Sequence, residues 1–474
     1  MVRLSRRNGM PVVMSSTAFS SLPLAPNQLD ALDALGYKAM TPVQAQSLPL
    51  ILSGRDVIVR AKTGSGKTAA FALGLLATIN PRFFGVQAFV MCPTRELADQ
   101  VGKEIRRLAS RMPNIKLVLL CGGVPLGPQR DSLSHGAHIV VGTPGRIEDH
   151  LKRGSLNIES VKTLVLDEAD RMLDMGFADA IKQIISGMPG DRQTLLFSAT
   201  YPQDIQRISR SIQRNPASVT VDDVAHNEAV IEQLFYEVNK HERQATLCAL
   251  FEHYRPANAV VFCNTKKQCD EVAVFLRGQG IEARAIHGDL EQRERDQVLL
   301  QLTNDSCPVL VATDVAARGL DIKDLEMVVN YELPRDPEVY VHRIGRTGRA
   351  GAVGKACSIV VPAESPRIRA IEDYKQQPCA CDVLASLDRD PDYQLTGAMV
   401  TIQLDAGRKQ KVRPGDVLGA LTGDAGLSGD QIGKISIFDT SSYVAVSRQA
   451  LRQAMNYLTQ GKVKGRSVRA RKIR

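Results

Sequence analysis

The stretch LVLDEAD spans residues 164–170 and consists of an apolar run that ends abruptly in three carboxylates. The run is too short for an independent helix, and it predicts a buried strand. In an open α/β sheet, ligands lie outside the carboxyl ends of the parallel strands, so Asp167, Glu168 and Asp170 are expected at a ligand site. For this stretch taken alone, solvated carboxylates at an ordinary turn are the alternative.

A second stretch lies upstream, where DVIVR (56–60) leads into AKTGSGKT (61–68) and then into an apolar segment typical of a helix. A strand, a glycine-rich loop with a lysine and a hydroxyl, and a helix form the pattern of a phosphate-binding loop. The general pattern has glycine where this chain has Ala61. The flanking strand and helix, together with the acidic strand end downstream, favour the phosphate loop despite this departure.

The two stretches predict complementary chemistry. Backbone amides from Gly64 to Lys67 can bind phosphate oxygens, and the Lys67 ammonium adds a positive charge. The Thr68 hydroxyl is a ligand for Mg²⁺, and Asp167 would hold the same ion through water from the opposite side. The sequence therefore predicts a site for ATP and Mg²⁺.

Length and composition limit the class of protein. A chain of 474 residues, 44% hydrophobic and 23% charged, indicates a soluble globular protein of about three domains. No apolar run reaches the roughly 18 residues of a membrane helix, so no membrane partner is expected. The basic start of residues 1–18 has no apolar core for secretion, and we interpret this segment as a flexible tail in which Met14 could be the true start.

The nine cysteines are dispersed and include no C-x-x-C pair. Cys379 and Cys381, which lie closest together, are interpreted as incidental. Scattered thiols of this kind indicate a reducing compartment, and we expect a cytoplasmic protein.

The formal charge is concentrated at one end of the chain. Residues 399–474 contain 14 Lys and Arg against 5 Asp and Glu, which accounts for the whole net charge of +9. A localised excess of this kind predicts a polyanionic partner for this segment, with nucleic acid favoured over a membrane surface because no basic amphipathic helix accompanies it.

Short apolar strands alternate with helical stretches twice along the chain, which predicts two parallel sheets covered on both faces by helices. The two units are predicted at residues 19–222 and 230–375, and only the first contains a phosphate loop. The predicted strands are at 57–59, 87–92, 116–123, 138–144, 163–170 and 193–200 in the first unit, and at 258–265, 282–289, 308–315, 326–334 and 356–362 in the second.

A third unit is predicted at residues 399–474, after a polar link at 376–398. Its segments follow the order βαββαβ, which is the order of an RNA-recognition-motif domain. The predicted fold class is therefore α/β, with two parallel-sheet lobes followed by a small α+β domain.

Together these stretches resemble the DEAD-box ATP-dependent RNA helicases over residues 19–375, and the resemblance implies that both lobes are RecA-like. It also extends to TPVQ (41–44), SAT (198–200), ATDVAARGLD (312–321) and HRIGRTGR (342–349). The resemblance implies a nucleotide site made of Phe19, Gln44, Ala61, Lys62, Thr63, Gly64, Ser65, Gly66, Lys67, Thr68 and Asp314. In it Gln44 would read the N6 and N7 edges of adenine.

The resemblance also implies catalytic roles, which we assign to Lys67, Asp167, Glu168, His342, Arg346 and Arg349. Glu168 would orient or deprotonate the attacking water. Arg346 and Arg349 are three residues apart and can present two guanidinium groups to the γ-phosphate, whereas a solvated basic helix is the alternative. Asp170, Ser198 and Thr200 would couple hydrolysis to strand separation.

RNA contacts are likewise implied by the resemblance, and they fall on loops and helix amino termini that suit a sugar-phosphate track without base readout. They are Pro93, Thr94, Arg95, Gly122, Gly123, Thr143, Pro144, Gly145, Arg146, Thr265, Arg295 and Thr313.

The third unit is similar to the carboxyl-terminal domain of the DbpA-type subgroup, notably at residues 413–435 and in the basic end at 461–474. The subgroup targets a hairpin of large-subunit ribosomal RNA in bacteria and helps to assemble that subunit, with no obligate protein partner evident here. Because the predicted central strands carry only Tyr443 as an aromatic, base stacking on the sheet is not expected. Instead we expect loops and basic residues, among them Lys462, Lys464 and Arg466, to hold the hairpin.

Three alternatives remain at this point. The protein could be an RNA helicase of general RNA metabolism without ribosomal specificity, a non-enzymatic RNA-binding protein, or a DNA translocase.

Overall fold

The computed structural model of the protein describes residues 17–61, 64–201, 203–221, 231–317, 325–348, 353–382 and 387–473. The chain divides into two compact units, with the boundary between residues 226 and 227. Most of the predicted tail, including Met14, and the link between the lobes at 222–230 lie outside the described residues. No helix in the described ranges is long and apolar enough to cross a membrane.

The first unit, lobe 1, contains a seven-stranded parallel sheet in the order β3-β4-β2-β5-β6-β1-β7. Six of the strands lie within predicted stretches, whereas β7, a half-exposed edge strand, was not predicted. The strands are β1 (Val57–Arg60), β2 (Ala88–Met91), β3 (Leu117–Leu120), β4 (Ile139–Gly142), β5 (Thr163–Asp167), β6 (Gln193–Ser198) and β7 (Ala217–Thr220).

Helices cover both faces of this sheet, as predicted. Val57 and Val59 of β1 belong to one apolar cluster and Ile58 to the other, because successive strand residues point to opposite faces. The helices are α1 (Pro26–Ala34), α2 (Pro42–Leu52), α3 (Lys67–Thr78), α4 (Arg95–Leu108), α5 (Leu126–Ser134), α6 (Pro144–Lys152), α7 (Ala169–Asp174), α8 (Ala178–Ser186) and α9 (Gln203–Ile212).

The second unit begins with lobe 2, a further parallel seven-stranded sheet in the order β10-β11-β9-β12-β13-β8-β14. Its strands are β8 (Ile231–Glu237), β9 (Ala259–Phe262), β10 (Ala283–Ile286), β11 (Val309–Ala312), β12 (Met327–Asn330), β13 (Gly354–Val360) and β14 (Cys381–Asp382). Its helices are α10 (Arg243–Tyr254), α11 (Lys266–Gly278), α12 (Gln292–Thr303), α13 (Asp314–Ala317), α14 (Pro337–Ile344) and α15 (Ser365–Lys375).

The segment predicted as a link at 376–398 packs on lobe 2 wherever it is described. Its residues Cys381 and Asp382 form β14 and pair with β8. Leu387 is 6% exposed and belongs to the apolar core of lobe 2. Leu395 then forms a bridge with Ile281, immediately before β10. The link is therefore anchored to lobe 2 at several points along its length.

The carboxyl-terminal domain has the predicted order βαββαβ and an antiparallel sheet arranged β16-β17-β15-β18. Both helices pack on one face of this sheet, over a core that includes Ile402, Leu404, Val444 and Leu458. The elements are β15 (Met399–Leu404), α16 (Pro414–Gly419) with a π-helical continuation at Ala420–Asp424, β16 (Ile432–Ile437), β17 (Ser442–Ser447), α17 (Leu451–Gln460) and β18 (Ala470–Lys472).

A buried carboxylate joins three segments of lobe 1 below β1. Asp56 is 5% exposed, and its two oxygens accept hydrogen bonds from the backbone N–H of Thr194 at 2.7 Å and of Arg214 at 2.6 Å. Asp56, directly before β1, thereby connects β1 to the start of β6 and to the residues that precede β7.

We therefore expect Asp56→Ala to leave two N–H groups without an acceptor and to lower the free energy of unfolding of lobe 1 by about 2–4 kcal/mol. The measurement is urea unfolding of the full chain, following the transition of lobe 1. Asp33→Ala, at an exposed position of the same lobe, is the control and should change stability by less than about 0.5 kcal/mol. Equal midpoints for the two variants would contradict this role of Asp56.

Candidate nucleotide and RNA site

The phosphate-binding loop lies between β1 and α3, as its sequence predicts. Gly64 and Gly66 have φ values of 88° and 94°, in the left-handed region that favours glycine. The Lys67 ammonium is buried and donates a hydrogen bond to the Ala61 carbonyl at 2.6 Å. The first turn of α3 provides free backbone amides, so this end of the helix can bind an anion. Lys62 and Thr63 lie outside the described residues.

The segment predicted to read adenine, TPVQ (41–44), hydrogen-bonds to this loop. Gln44 is 2% exposed, its amide nitrogen donates to the Gly66 carbonyl at 3.2 Å, and its amide oxygen accepts from the Thr41 N–H at 2.9 Å. The Thr41 hydroxyl donates to the Ser65 carbonyl at 2.8 Å. A Cβ at Gly66 would lie 2.6 Å from the Gln44 amide nitrogen, so the close approach requires glycine. Phe19 is buried near this segment, and its ring meets that of Tyr37 edge to face.

The acidic cluster lies at the carboxyl end of β5, where the sequence places it. Asp167 is 3% exposed, and burial raises the pKa of its carboxyl group to about 7, with Glu168 and Asp170 adding to the rise and Lys67 opposing it. Glu168 has a φ of 51°, and its N–H donates to an Asp167 carboxylate oxygen at 3.1 Å. The end of β5 therefore carries a buried carboxylate whose loss of hydration is only partly offset by nearby groups.

Glu168 is also buried and forms an ion pair with Arg171, one turn later on α7. Arg171 was not among the residues predicted from the sequence. It follows Glu168 by three residues, a spacing at which side chains meet when the chain is helical.

The coupling residues are brought together between β5 and β6. One carboxylate oxygen of Asp170 accepts from both the N–H and the hydroxyl of Thr200, each at 3.0 Å. The Ser198 hydroxyl accepts from the Asp170 N–H at 3.4 Å. Asp170 therefore connects the end of β5 to the residues at the end of β6 through these hydrogen bonds.

In lobe 2, Asp314 forms a bidentate ion pair with Arg343, with oxygen to nitrogen distances of 2.6 and 2.8 Å. Arg343 is 2% exposed and also donates to the side chains of Asn264 and Asn330 and to the Glu332 carbonyl. A buried guanidinium needs this full set of acceptors. Arg343 was not predicted from the sequence, although it lies between His342 and Arg346 in HRIGRTGR (342–349).

The other predicted residues of lobe 2 lie on or near the same sheet edge. Thr313 directly follows β11, and the Thr265 hydroxyl accepts from the Gln268 N–H at the start of α11. His342 is on α14 and Arg346, which is 8% exposed, follows that helix. Arg349 lies outside the described residues.

Comparison with known proteins identifies the family. Residues 41–208 match the DEAD/DEAH box helicase family, residues 242–351 the helicase conserved C-terminal domain, and residues 401–472 the DbpA RNA binding domain. The ATP-dependent RNA helicase DbpA of Escherichia coli K12 is 53% identical over 467 residues, which cover 97% of this chain and all of that protein. The chain belongs to the DEAD-box ATP-dependent RNA helicases. The resemblance inferred from the motifs is thus confirmed.

More distant helicases agree with this assignment. The DEAD-box ATP-dependent RNA helicase CshA of Bacillus subtilis 168 is 44% identical over 75% of this chain and 72% of its own. Among solved structures, S. cerevisiae Dbp5 bound to RNA and ADP BeF3 is 32% identical, with a TM-score of 0.70 over 78% of this chain and 96% of that one. The two RecA-like lobes and the enzyme class are therefore shown.

The predicted RNA contacts of the helicase's first lobe lie together at the carboxyl ends of β2, β3 and β4. A Cβ at Gly122 would lie 2.9 Å from the Arg95 guanidinium, so the loop after β3 touches the start of α4. Arg146, on α6, donates to the Val124 carbonyl at 3.0 Å. The remaining residues of this set line the same edge of the sheet, namely Pro93, Thr94, Gly123, Thr143, Pro144 and Gly145.

The raised pKa of Asp167 has a consequence for stability. Between the ordinary value of 3.8 and about 7, folded lobe 1 keeps a proton that the unfolded chain has released. The free energy of unfolding therefore falls as the pH rises through this window, and it levels off above it.

We expect Asp167→Asn, which keeps the acceptor for the Glu168 N–H, to remove this contribution. Its stability advantage over wild type in nucleotide-free protein should grow between about pH 4 and about pH 7, by at most about 1.4 kcal/mol per pH unit. The difference in stability is measured by calorimetric unfolding of the full chain at each pH with a chelator present. Asp30→Asn, at an exposed position, is the control. A stability advantage of Asp167→Asn that is independent of pH would refute the raised pKa of Asp167.

Proposed function

We propose that this helicase acts on RNA of the large ribosomal subunit during its assembly in the cytoplasm, and that the carboxyl-terminal domain binds a hairpin of that RNA. The observation that carries the proposal is the match of residues 401–472 to the DbpA RNA binding domain. It joins a general RNA-unwinding enzyme to a separate domain that can select the RNA.

The distribution of charge in that domain supports the proposal. Two loops, at 405–413 and 461–469, form one end of the domain, which we call the basic end. They are joined by the Arg469 N–H, which donates to Asp405 at 2.7 Å, and by the Lys464 ammonium, which donates to the Lys411 carbonyl at 2.6 Å. Eight exposed cations belong to the basic end, namely Arg408, Lys409, Lys411, Arg413, Lys462, Lys464, Arg466 and Arg469.

This arrangement suits a folded RNA. Acidic residues at the basic end are few, and Asp416 is engaged by the Lys464 ammonium at 3.2 Å. Clustered cations bind the phosphate backbone with little dependence on base sequence. Selection of a hairpin would then come from its shape and from the loops around it.

For hydrolysis we propose that Lys67 and the amides of the phosphate loop hold the phosphates of ATP, while Glu168 orients or deprotonates water. Gln44 would hold adenine, with Phe19 beside it, and Asp314 the ribose. Positive charge on the γ-phosphate would come from Arg346 and Arg349, with His342 coupling them to the acids. Asp170, Ser198 and Thr200 would pass the change to the RNA track.

The residues at the end of β5 also fit Mg²⁺. Lys67 offsets the burial of the Asp167 carboxylate only in part, and the Thr68 hydroxyl lies in the first turn of α3. Mg²⁺ at nucleotide sites takes one or two protein oxygens and completes its shell with water and phosphate. When bound there, the ion would neutralise charge on the phosphates.

We expect Glu168→Gln to abolish RNA-stimulated ATP hydrolysis, lowering the rate by at least about 100-fold, because it removes the group that accepts the proton of water. ATP binding, measured with a fluorescent analogue, should persist because the phosphate loop is unchanged. Glu159→Gln, at an exposed position of lobe 1, is the matched control. Unchanged hydrolysis by Glu168→Gln would contradict the proposed role.

The target is tested by measuring ATP hydrolysis with large-subunit ribosomal RNA, unrelated structured RNA and DNA, for the full chain and for a chain ending at residue 398. We expect ribosomal RNA to stimulate the full chain most strongly, and truncation to abolish that preference while leaving general RNA stimulation. Equal stimulation by both RNAs would favour a helicase of general RNA metabolism.

A further inference from the structure

The Glu168 side chain has a charged partner within lobe 1. Its carboxylate forms an ion pair with the guanidinium of Arg171, and each of the two residues is only 7% exposed. A buried pair of this kind adds little net stability, because both ions lose their hydration. Stability is therefore a weak reason for the pair, and control of the position of Glu168 is a stronger one.

The start of α7 explains how the two side chains meet. Glu168 directly precedes this helix, with φ 51° and ψ 52°, and Arg171 is the third residue within it. Side chains of a helix lean towards its amino terminus, so the Arg171 side chain reaches back over the turn that contains Glu168. The Glu168 N–H donates to Asp167 at 3.1 Å. The backbone and the side chain of Glu168 are thus held separately, the first by Asp167 and the second by Arg171.

The charges around Glu168 make such a partner necessary. Glu168 and Asp170 both raise the pKa of Asp167, which places the three carboxylates close enough to repel one another. Repulsion would drive the Glu168 side chain away from Asp167 if no cation opposed it. Lys67 lowers the pKa of Asp167 and so acts on that carboxylate, whereas Arg171 pairs with Glu168. Each of the two buried carboxylates therefore has its own cation.

Arg171 also contacts the residues predicted to couple hydrolysis to strand separation. Its N–H donates to one carboxylate oxygen of Asp170 at 3.0 Å, while the other oxygen of Asp170 accepts from Thr200. Arg171 thus touches Asp170 with its backbone and Glu168 with its side chain. The first turn of α7 therefore joins the hydrogen bonds to the end of β6 with the carboxylate proposed to act on water.

We propose that Arg171 is a positioning residue for ATP hydrolysis, whose guanidinium holds the Glu168 carboxylate in the orientation in which it acts on the attacking water. The inference rests on the role proposed for Glu168 and extends it to a residue outside the phosphate loop and the acidic cluster. Misplacing a reacting group by about 1 Å costs on the order of 100-fold in rate, so loss of this partner should be visible in the chemical step.

Arg171→Met removes the guanidinium and keeps an unbranched side chain in the buried space. In the full chain we expect kcat of RNA-stimulated ATP hydrolysis to fall at least about 10-fold while KM for ATP changes less than about 2-fold, because the groups that bind ATP are unchanged. Arg207→Met is the matched control, since it breaks an exposed pair with Asp204 at the same spacing in lobe 1, and it should behave as wild type. A wild-type kcat in Arg171→Met would overturn the inference.

Arg171→Lys separates orientation from charge and serves also if the methionine variant fails to fold. Lysine keeps the positive charge, but its ammonium is a point charge that cannot align a carboxylate as a planar guanidinium does. We expect the urea unfolding midpoint and the affinity for a fluorescent ATP analogue to stay near wild type, and kcat to lie below wild type and above Arg171→Met. A full wild-type kcat in Arg171→Lys would overturn the orienting role, since charge alone would then suffice.

A double-mutant cycle tests whether Arg171 acts through Glu168. Single-turnover hydrolysis should be equally slow in Glu168→Gln and in the variant that carries both Glu168→Gln and Arg171→Met. A further loss in the double variant, as large as that caused by Arg171→Met alone, would show that Arg171 acts elsewhere and overturn the inference. Wild-type hydrolysis by Glu168→Gln would contradict the role proposed for Glu168 itself. Loss in Glu168→Gln without loss in Arg171→Met would leave that role intact and overturn the inference alone.

Discussion

The burial of the Asp167 carboxylate is the constraint on which the rest of lobe 1 depends. A carboxylate at the end of a central strand loses its hydration, and only nearby cations and N–H donors can offset this loss. The chain supplies the Lys67 ammonium and the Glu168 N–H, and these leave the pKa of Asp167 still raised. The burial of this carboxylate is therefore only partly offset by the groups around it.

Lobe 2 contains a buried cation, Arg343, where lobe 1 contains a buried carboxylate. Arg343 is almost wholly enclosed and is satisfied by Asp314, two asparagines and a backbone carbonyl. Breaking one partner of such a set leaves a charge without compensation, so the set holds the end of β11, the end of α14 and the end of β12 in one arrangement. Each lobe thus organises its functional edge around one buried charge.

The carboxyl-terminal domain differs from a typical RNA-recognition motif in what its sheet contacts. The domain has the βαββαβ order of an RNA-recognition motif, yet on the sheet face opposite its helices Thr401 and Gln403 hydrogen-bond to α12 and to the turn after it. Eight exposed cations of the domain lie in the loops at the basic end.

The sequence alone determined the phosphate loop, the acidic strand end and the order of three units, because backbone amides and strand ends are local features that short motifs encode. It did not reveal β7, β8 or β14, whose edge positions and mixed side chains lack a clear apolar pattern. Arg171 and Arg343 were also missed, since a buried cation is recognised only by its partners. Only the tertiary structure decided that Asp314 pairs with Arg343, that the link packs on lobe 2 and that Thr401 and Gln403 contact lobe 2. Those contacts join residues far apart in the chain, and packing rather than local pattern brings them together.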